Sequence, residues 1–276
     1  MRRDRQGGAV LLVALMVVAI ATSLAAFAVQ RQDTAVRQLE TTRDYQQARW
    51  LVVGGVHWAR TVLAEDARLG RTDHAREPWA IALQATEIEQ ATLTGALSDE
   101  QGLFNLANLS QDGLPSLRHV EAFRRLLRAL GEPPTLADAI AAAQPMTEWD
   151  ELHDVPGCDE KTVARLAQVA TLLPRATPVN VNTAPPVVLA GLVEGLGLDE
   201  ATVLANSLRV APASSVSAFA QRLRPDLHVE TTELVVSSGY FKVRGRVVLR
   251  KADVRVEALL QRHGRTLPEI LWVRTS

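Results

Sequence analysis

The chain has 276 residues, 47% of them hydrophobic, and 30 basic side chains stand against 31 acidic ones for a formal net charge of −1. That length carries one large or two ordinary soluble domains with a sizeable core. The balanced charge provides no long-range field favouring nucleic acid or an acidic substrate. The single cysteine, Cys158, excludes an internal disulfide and is expected to be a half-buried, inert thiol.

Ala9 to Val29 is a run of 21 uncharged, mostly apolar residues behind the basic leader MRRDRQGG. As a helix it is about 31 Å long, the thickness of a bilayer's hydrocarbon core, so it can cross a membrane once. Arg2, Arg3 and Arg5 against Asp4 place the leader on the cytoplasmic side and the rest of the chain across the membrane. Ala26-Phe27-Ala28 would serve as the cleavage site of a secretory signal, and a plain signal anchor has the same hydropathy. Neither alternative accounts for Gly8, immediately before the apolar run. A short basic leader ending in Gly at the membrane face resembles the site cut by a prepilin peptidase, which would leave a mature protein starting at Ala9.

No proline precedes Pro78, so nothing of that kind interrupts a helix continuing out of the membrane. Ala48, Leu51, Val52, Gly55, Ala59, Val62 and Leu63 recur at helical spacing, with Arg49, Arg60 and Glu65 off the stripe. Gly54-Gly55 weakens that helix by about 1 kcal/mol per residue relative to Ala, and also permits close packing against a sheet. One such rod resembles the spine of a type IV pilin; two separate helices are the alternative.

After a polar connection around Arg71 to Pro78, Gln90 to Ser98 reads as a strand with Leu93 and Leu97 on one face. It runs into DEQGLFNLANL, Asp99 to Leu109. This run resembles the D-x-Q-G-x-F-N-L-N-x-L element of the K-type minor pseudopilins of type II secretion systems, with Ala107 where that family usually has Asn. Gly8, Ala9, Val10, Leu11 and Leu12 also match the family's mature start.

Eleven of the thirteen prolines fall between Leu114 and Pro225, separating short segments of helical period: Val120 to Leu130, Leu136 to Ala143, Val163 to Leu173, Val187 to Leu192 and Ala201 to Leu208. This predicts a compact bundle of short helices. Val179-Asn-Val-Asn-Thr-Ala-Pro185 and Val155-Pro156-Gly157 before a helix over Lys161 to Leu172 resemble helix-hairpin-helix units. Such pairs often hold DNA backbone, which makes a membrane-anchored or periplasmic helix-hairpin-helix DNA-binding protein the alternative function. Asp154, Asp159 and Glu160 flank one hairpin and Glu194, Asp199 and Glu200 the other, with only Lys161 and Arg165 to bind phosphate. Nucleic acid is therefore not an expected partner.

The remainder returns to strand. Phe241 to Leu249 and Ala252 to Leu260 alternate apolar and polar residues around a turn at Arg250-Lys251, setting Arg244 and Arg246 opposite Asp253 and Glu257 for cross-strand pairing. Glu269 to Arg274 adds a last strand. The six histidines are scattered, and no H-E-x-x-H, G-x-S-x-G, Walker or Rossmann pattern occurs, so no catalytic residue is assigned and the chain is read as a building block.

The expected fold is α+β: a type IV pilin-like long N-terminal helix, a small antiparallel sheet, and a large inserted all-α domain. The expected divisions are a leader over 1–8, the transmembrane part over 9–29, the helix continuation and first strands over 30–112, the helical insert over 113–228 and the last strands over 229–276. The resemblance implies processing by prepilin peptidase after Gly8, methylation at Ala9, and residence in the inner membrane with the C-terminal domain in the periplasm. It also implies assembly with I- and J-type minor pseudopilins and other pseudopilins at the tip of the pseudopilus. Val13 stands at the fifth mature position, where ordinary pilins carry Glu, and suits a subunit with nothing above it. Members of that family bind Ca2+; no EF-hand-like loop is present, so the local supply of ligands is Asp99, Asp112, Glu148, Asp150, Glu151, Asp154 and Asp159, with none assigned.

Overall fold

The computed structural model describes residues 5–276, with side chains for all of these but 5–10 and 33–35. The first element, α1, runs unbroken from Arg5 to Leu69, about 98 Å at helical rise, so the single rod is the observed form. Its start stands clear of the rest of the chain, and from Ala48 onward it buries one stripe, Ala48, Val52, Val56, Ala59 and Leu63. It ends where Gly70 closes the last turn, the Gly70 N–H donating to the Asp66 carbonyl at 2.9 Å.

The strand β1 (Leu83–Ile88) was not foreseen; it has no alternation to betray it, since five of its six residues are exposed. It makes a hairpin with β2 (Ala91–Asp99), which covers the strand expected over Gln90 to Ser98. Short pieces follow: β3 (Phe104–Asn105), β4 (Ser110–Gln111), β5 (Leu114–Pro115), α2 (Leu117–Leu130), α3 (Leu136–Ala142) and α4 (Glu160–Leu166). Then come β6 (Ala170–Thr171), β7 (Val179–Asn180), α5 (Pro186–Leu192), α6 (Leu198–Val210), α7 (Val216–Ala220) and β8 (Leu234–Val235). The helix expected to reach Leu172 stops at Leu166, because Ala170-Thr171 leaves it to pair in parallel with Phe104-Asn105.

Three long strands close the chain: β9 (Tyr240–Leu249), β10 (Ala252–Gln261) and β11 (Glu269–Thr275). The main sheet is antiparallel in the order β1-β2-β9-β10-β11, so everything from β3 to β8 is inserted between two strands that are neighbours. Arg244 meets Glu257 at 3.1 Å and Arg246 meets Asp253 at 2.6 Å, the cross-strand pairs expected from the alternation.

Two cores result. One lies between the α1 stripe and the inward residues of the sheet, Ala91, Phe241, Val243, Val247, Val254, Val256 and Ala258. The other belongs to the insert and is centred on Phe104, Phe123, Leu126, Ile140, Leu166, Leu189 and Phe219. Within it α2 and α5 cross closely: a Cβ at Gly191 would lie 2.7 Å from Leu126 Cβ, so only glycine fits there. Gly131, at φ +80, closes α2 with its N–H on the Arg128 carbonyl, and the Glu132 N–H reaches Leu127.

Candidate functional site

For a chain expected to be a building block, the sites to compare are the anchor, the exposed faces of the spine, and the joint that fixes the insert on the sheet. Among the described residues one helix is long and apolar enough to cross a membrane, and its apolar part is unburied. Val13 sits in it, 62% exposed to whatever surrounds the helix. Gly8 and Ala9 lie on the α1 backbone, but their side chains lie outside the described residues, as do Arg2, Arg3 and Asp4 altogether.

Further along, the exposed surface of α1 carries Trp50, 75% exposed, and Trp58, 56% exposed, with Gly54 between them at four-residue spacing. Large aromatics left in water in such a row mark an interaction face.

The joint is where the Asp99–Leu109 run and the Val179–Pro185 run come together. Asp99 is buried, and its Oδ2 accepts hydrogen bonds from Asn180 Nδ2 (2.9 Å), Thr183 Oγ1 (2.6 Å) and Ser238 Oγ (2.6 Å), while Oδ1 accepts from the Gln101 N–H (2.8 Å). Burial outweighs these donors and pushes its carboxyl up to about 6. Gln101 donates from Nε2 to the Pro178 carbonyl at 3.0 Å and accepts the Gly239 N–H at 2.5 Å. A Cβ at Gly102 would lie 2.6 Å from Thr183 Oγ1 and 3.0 Å from the Thr183 backbone, which explains the glycine in the first motif. Asn105 and Asn108 hold the 173–177 segment through backbone groups of Leu173, Arg175 and Thr177. Asn182 does the same for Ala213, donating at 3.0 Å and accepting at 2.8 Å.

Beside this network Arg262, itself 8% exposed, donates to Asp66 (3.0 Å), Asp73 (2.6 Å) and the Ser238 carbonyl (2.7 Å), with its guanidinium 4.7 Å over the Phe241 ring. Asp73 in turn accepts the Ser238 N–H at 2.7 Å. Burial, with Glu77 and Asp73 nearby, raises Asp66 to about 6 even against Arg262. None of Asp66, Asp73, Ser238 or Arg262 was a candidate from sequence; the two aspartates lie far along the chain from Ser238 and Arg262, and the four share no motif.

The carboxylates named as a calcium supply do not cluster with one another among the described residues. Asp99 is engaged as described, Glu148 pairs with Arg274, Glu151 closes a capping box on the Thr147 and Glu148 N–H groups, and Asp159 caps α4 through the Thr162 N–H at 2.8 Å. Asp112, Asp150 and Asp154 are exposed, and no three of the seven approach within ligating distance. Three carboxylates do meet at Asp66, Asp73 and Glu77, but the Arg262 guanidinium already bridges two of them, and Glu77 accepts from the His74 N–H and Trp79 Nε1. That donor set does not fit an ion taking six to eight oxygens. The hairpin before α4 is equally unsuited to DNA: Arg165, one of its two basic residues, is held by buried Glu132 at 2.5 Å. Burial and the nearby Glu132 and Asp159 raise the Cys158 thiol above its ordinary range, as expected of an inert cysteine.

Residues 179–237, which include the Asn180 side of the joint, match the family described as type II secretion system protein K. A type II secretion system protein K from Pseudomonas aeruginosa is 30% identical over 233 residues, 70% of either chain. This chain belongs to the protein K family. The Klebsiella pneumoniae protein K is 28% identical over 95% of this chain and 94% of its own. A chain of the crystal structure of the GspK-GspI-GspJ complex from enterotoxigenic Escherichia coli superposes with a TM-score of 0.74 at 23% identity, covering 87% of this chain and 99% of its own. As a protein K it is a minor pseudopilin of the type II secretion system, and the DNA-binding alternative is not favoured. The Asp99–Leu109 run that carried the resemblance and the Val179–Pro185 run read as a helix-hairpin-helix unit are the opposite halves of one buried joint.

Proposed function

We propose that this protein K is the tip subunit of the type II secretion pseudopilus, assembled with I- and J-type minor pseudopilins to help move folded proteins across the outer membrane. In this reading prepilin peptidase cuts after Gly8, Ala9 becomes the methylated N-terminus, α1 anchors the subunit in the inner membrane, and the sheet and insert stand in the periplasm. The observation that carries it is the apolar anchor with Val13 in place of an acid, continuous with a spine whose Trp50-Gly54-Trp58 face is open to neighbours. A membrane carboxylate is costly unless paired, so a topmost subunit is best without one. The relative of similar fold, crystallised in a complex with GspI and GspJ, supports the choice of partners. The protein is a structural component, and no step of chemistry is assigned to it.

Purification from membranes with its partners co-expressed tests this directly. The expected result is a mature chain starting at Ala9 that brings down the I- and J-type subunits. An intact Met1, a start at Val29, or isolation of the chain alone would refute it.

A further inference from the structure

We infer that Ser116, His119 and Glu233 form a hydrolytic site on the insert, in which Ser116 is a nucleophile toward carboxylic esters with apolar acyl groups. This goes beyond the subunit reading, which assigns no chemistry, and does not depend on it. Ser116 Oγ lies 2.8 Å from His119 Nδ1, and His119 Nε2 lies 2.6 Å from Glu233 Oε2. An ionised carboxylate has no hydrogen to give, so Nε2 carries one and donates it. The neutral ring then keeps its lone pair on Nδ1, where it accepts from the Ser116 hydroxyl. Nucleophile, base and acid are thus chained in the order that activates a serine, a constellation recognised by geometry and roles. His119 and Glu233 are 114 positions apart, so no local pattern announces it.

Three features separate this arrangement from an ordinary helix cap with an ion pair beside it. Ser116 is the N-cap of α2, where a serine oxygen ordinarily accepts an N–H of the first turn, yet it makes no such bond and serves His119 instead. With no side-chain cap, the N–H groups of Leu117 and Arg118 have no acceptor within the helix and directly follow the nucleophile, the place from which amides stabilise an oxyanion. Arg118 already ties α2 to Glu230 at 3.5 Å and to Glu233 Oε1 at 3.3 Å, so that turn needs no histidine to hold it, and Oε2 is left to orient the imidazole. On either side of the serine in the chain stand Leu114, 71% exposed, and Leu117, 81% exposed, an apolar surface for an acyl group. The serine backbone is fixed, its N–H on the Leu109 carbonyl at 2.8 Å and its carbonyl accepting the Val120 N–H at 2.9 Å. In the reaction Ser116 Oγ bonds to the ester carbonyl carbon while its proton passes to His119 Nδ1, and Glu233 stabilises the imidazolium. As the oxyanion collapses, the bond from carbon to the leaving oxygen breaks and Nδ1 returns the proton to the departing alcohol. Water then repeats the sequence on the acyl-serine, so ester plus water gives acid plus alcohol.

The test uses the full chain in mild detergent with p-nitrophenyl butyrate, beside Ser116→Gly purified identically, which keeps a residue favoured at the N-cap. Hydrolysis by the parent should exceed that by the variant at least about 100-fold, the low end of what a positioned acid–base group contributes, with the thermal midpoint unchanged. Glu233→Gln, which keeps the shape and loses the charge, should lower kcat at least about tenfold and leave KM alone, a split that a merely structural role would not produce. A fluorophosphonate, whose phosphorus bonds to an activated serine oxygen as fluoride leaves, should add once to the parent, at Ser116 by peptide mass, and not to His119→Gln. If Ser116→Gly hydrolyses the ester as fast as the parent, or the fluorophosphonate adds elsewhere or nowhere, the three residues only fasten α2 to the 230–233 turn and the proposal is overturned. Should Ser116→Gly lower the midpoint, labelling of the parent decides alone. Recovery of I- and J-type subunits should be the same for parent and Ser116→Gly, so the subunit reading is tested separately.

Discussion

Arg262→Met should be among the most damaging single changes in the exported part of this chain. The guanidinium is the only cation contacting Asp66 and Asp73 among the described residues, and Asp73 is 2% exposed. Removing one partner of a buried ion pair costs about 3–5 kcal/mol, because the remaining charge is left desolvated and unpaired. Met keeps apolar contact with Phe241 but loses the cation–π term, about 1–2 kcal/mol more. Urea unfolding of the full chain in mild detergent, followed by tryptophan emission, reports directly, since Trp79 packs edge-on against Phe241 at 5.2 Å. With m of about 1–3 kcal/mol/M, the midpoint at pH 7 should drop by at least about 1 M. At pH 5 the loss should shrink, because Asp66, already raised to about 6, can take a proton and shed its charge. Adding Asp66→Asn and Asp73→Asn to Arg262→Met should recover all but about 1 kcal/mol, since no buried charge is then orphaned. A single variant that lost less than about 1 kcal/mol at pH 7, or a triple variant no better than the single, would refute the assignment of Arg262 as the clamp.

Three further outcomes follow from the same structure. Asp99 has a folded-state value of about 6 against an ordinary 3.8, so the folded state holds more protons than the unfolded one between those limits. Its contribution is fully present below about pH 4 and is lost as pH rises through about 6, on the order of 3 kcal/mol; unfolding free energies of parent and Asp99→Asn across pH 4 to 7 should show a shallower decline in the variant, and equal slopes would exclude the assignment. Gly8→Leu should leave membrane orientation unchanged and abolish maturation, read as a precursor-sized band; normally processed protein would move the cleavage site elsewhere. Val13→Glu should weaken recovery of the tip complex from membranes while Val13→Leu is tolerated, and a Glu variant that assembled better than the parent would defeat the tip argument.

What could be read from the residues divides by the range of the interactions. The anchor, the rod and the β9–β10 hairpin are local: an uncharged run, a stripe from Ala48 to Leu63, and alternation around Arg250-Lys251 each fix their element within a few residues. The helical texture of the insert was equally visible in its prolines. Tertiary pairing decided the rest. Ala170-Thr171 left helix because Phe104-Asn105 was there to pair with, and β1, exposed along its length, carried no face to recognise. The DEQGLFNLANL run announced a family and the NVNTAP run a helix-hairpin-helix unit, but neither announced the joint, since what they do there depends on Ser238, Asp73 and Arg262. Arg262 is separated from Asp66 by 196 positions and from Asp73 by 189.

The place of the insert bears on how the chain folds. Asp99 and Phe241 are register partners, yet about 140 residues separate them. Were that intervening chain disordered, bringing β2 to β9 would cost (3/2)RT ln n, about 4.4 kcal/mol of closure entropy plus a constant, against about 2 for a ten-residue loop. The insert has its own core, and once that core has formed its two ends already stand side by side. In a chain delivered N-terminus first, the spine and β2 must wait for residues from the far side of that unit before the central pair of strands can exist.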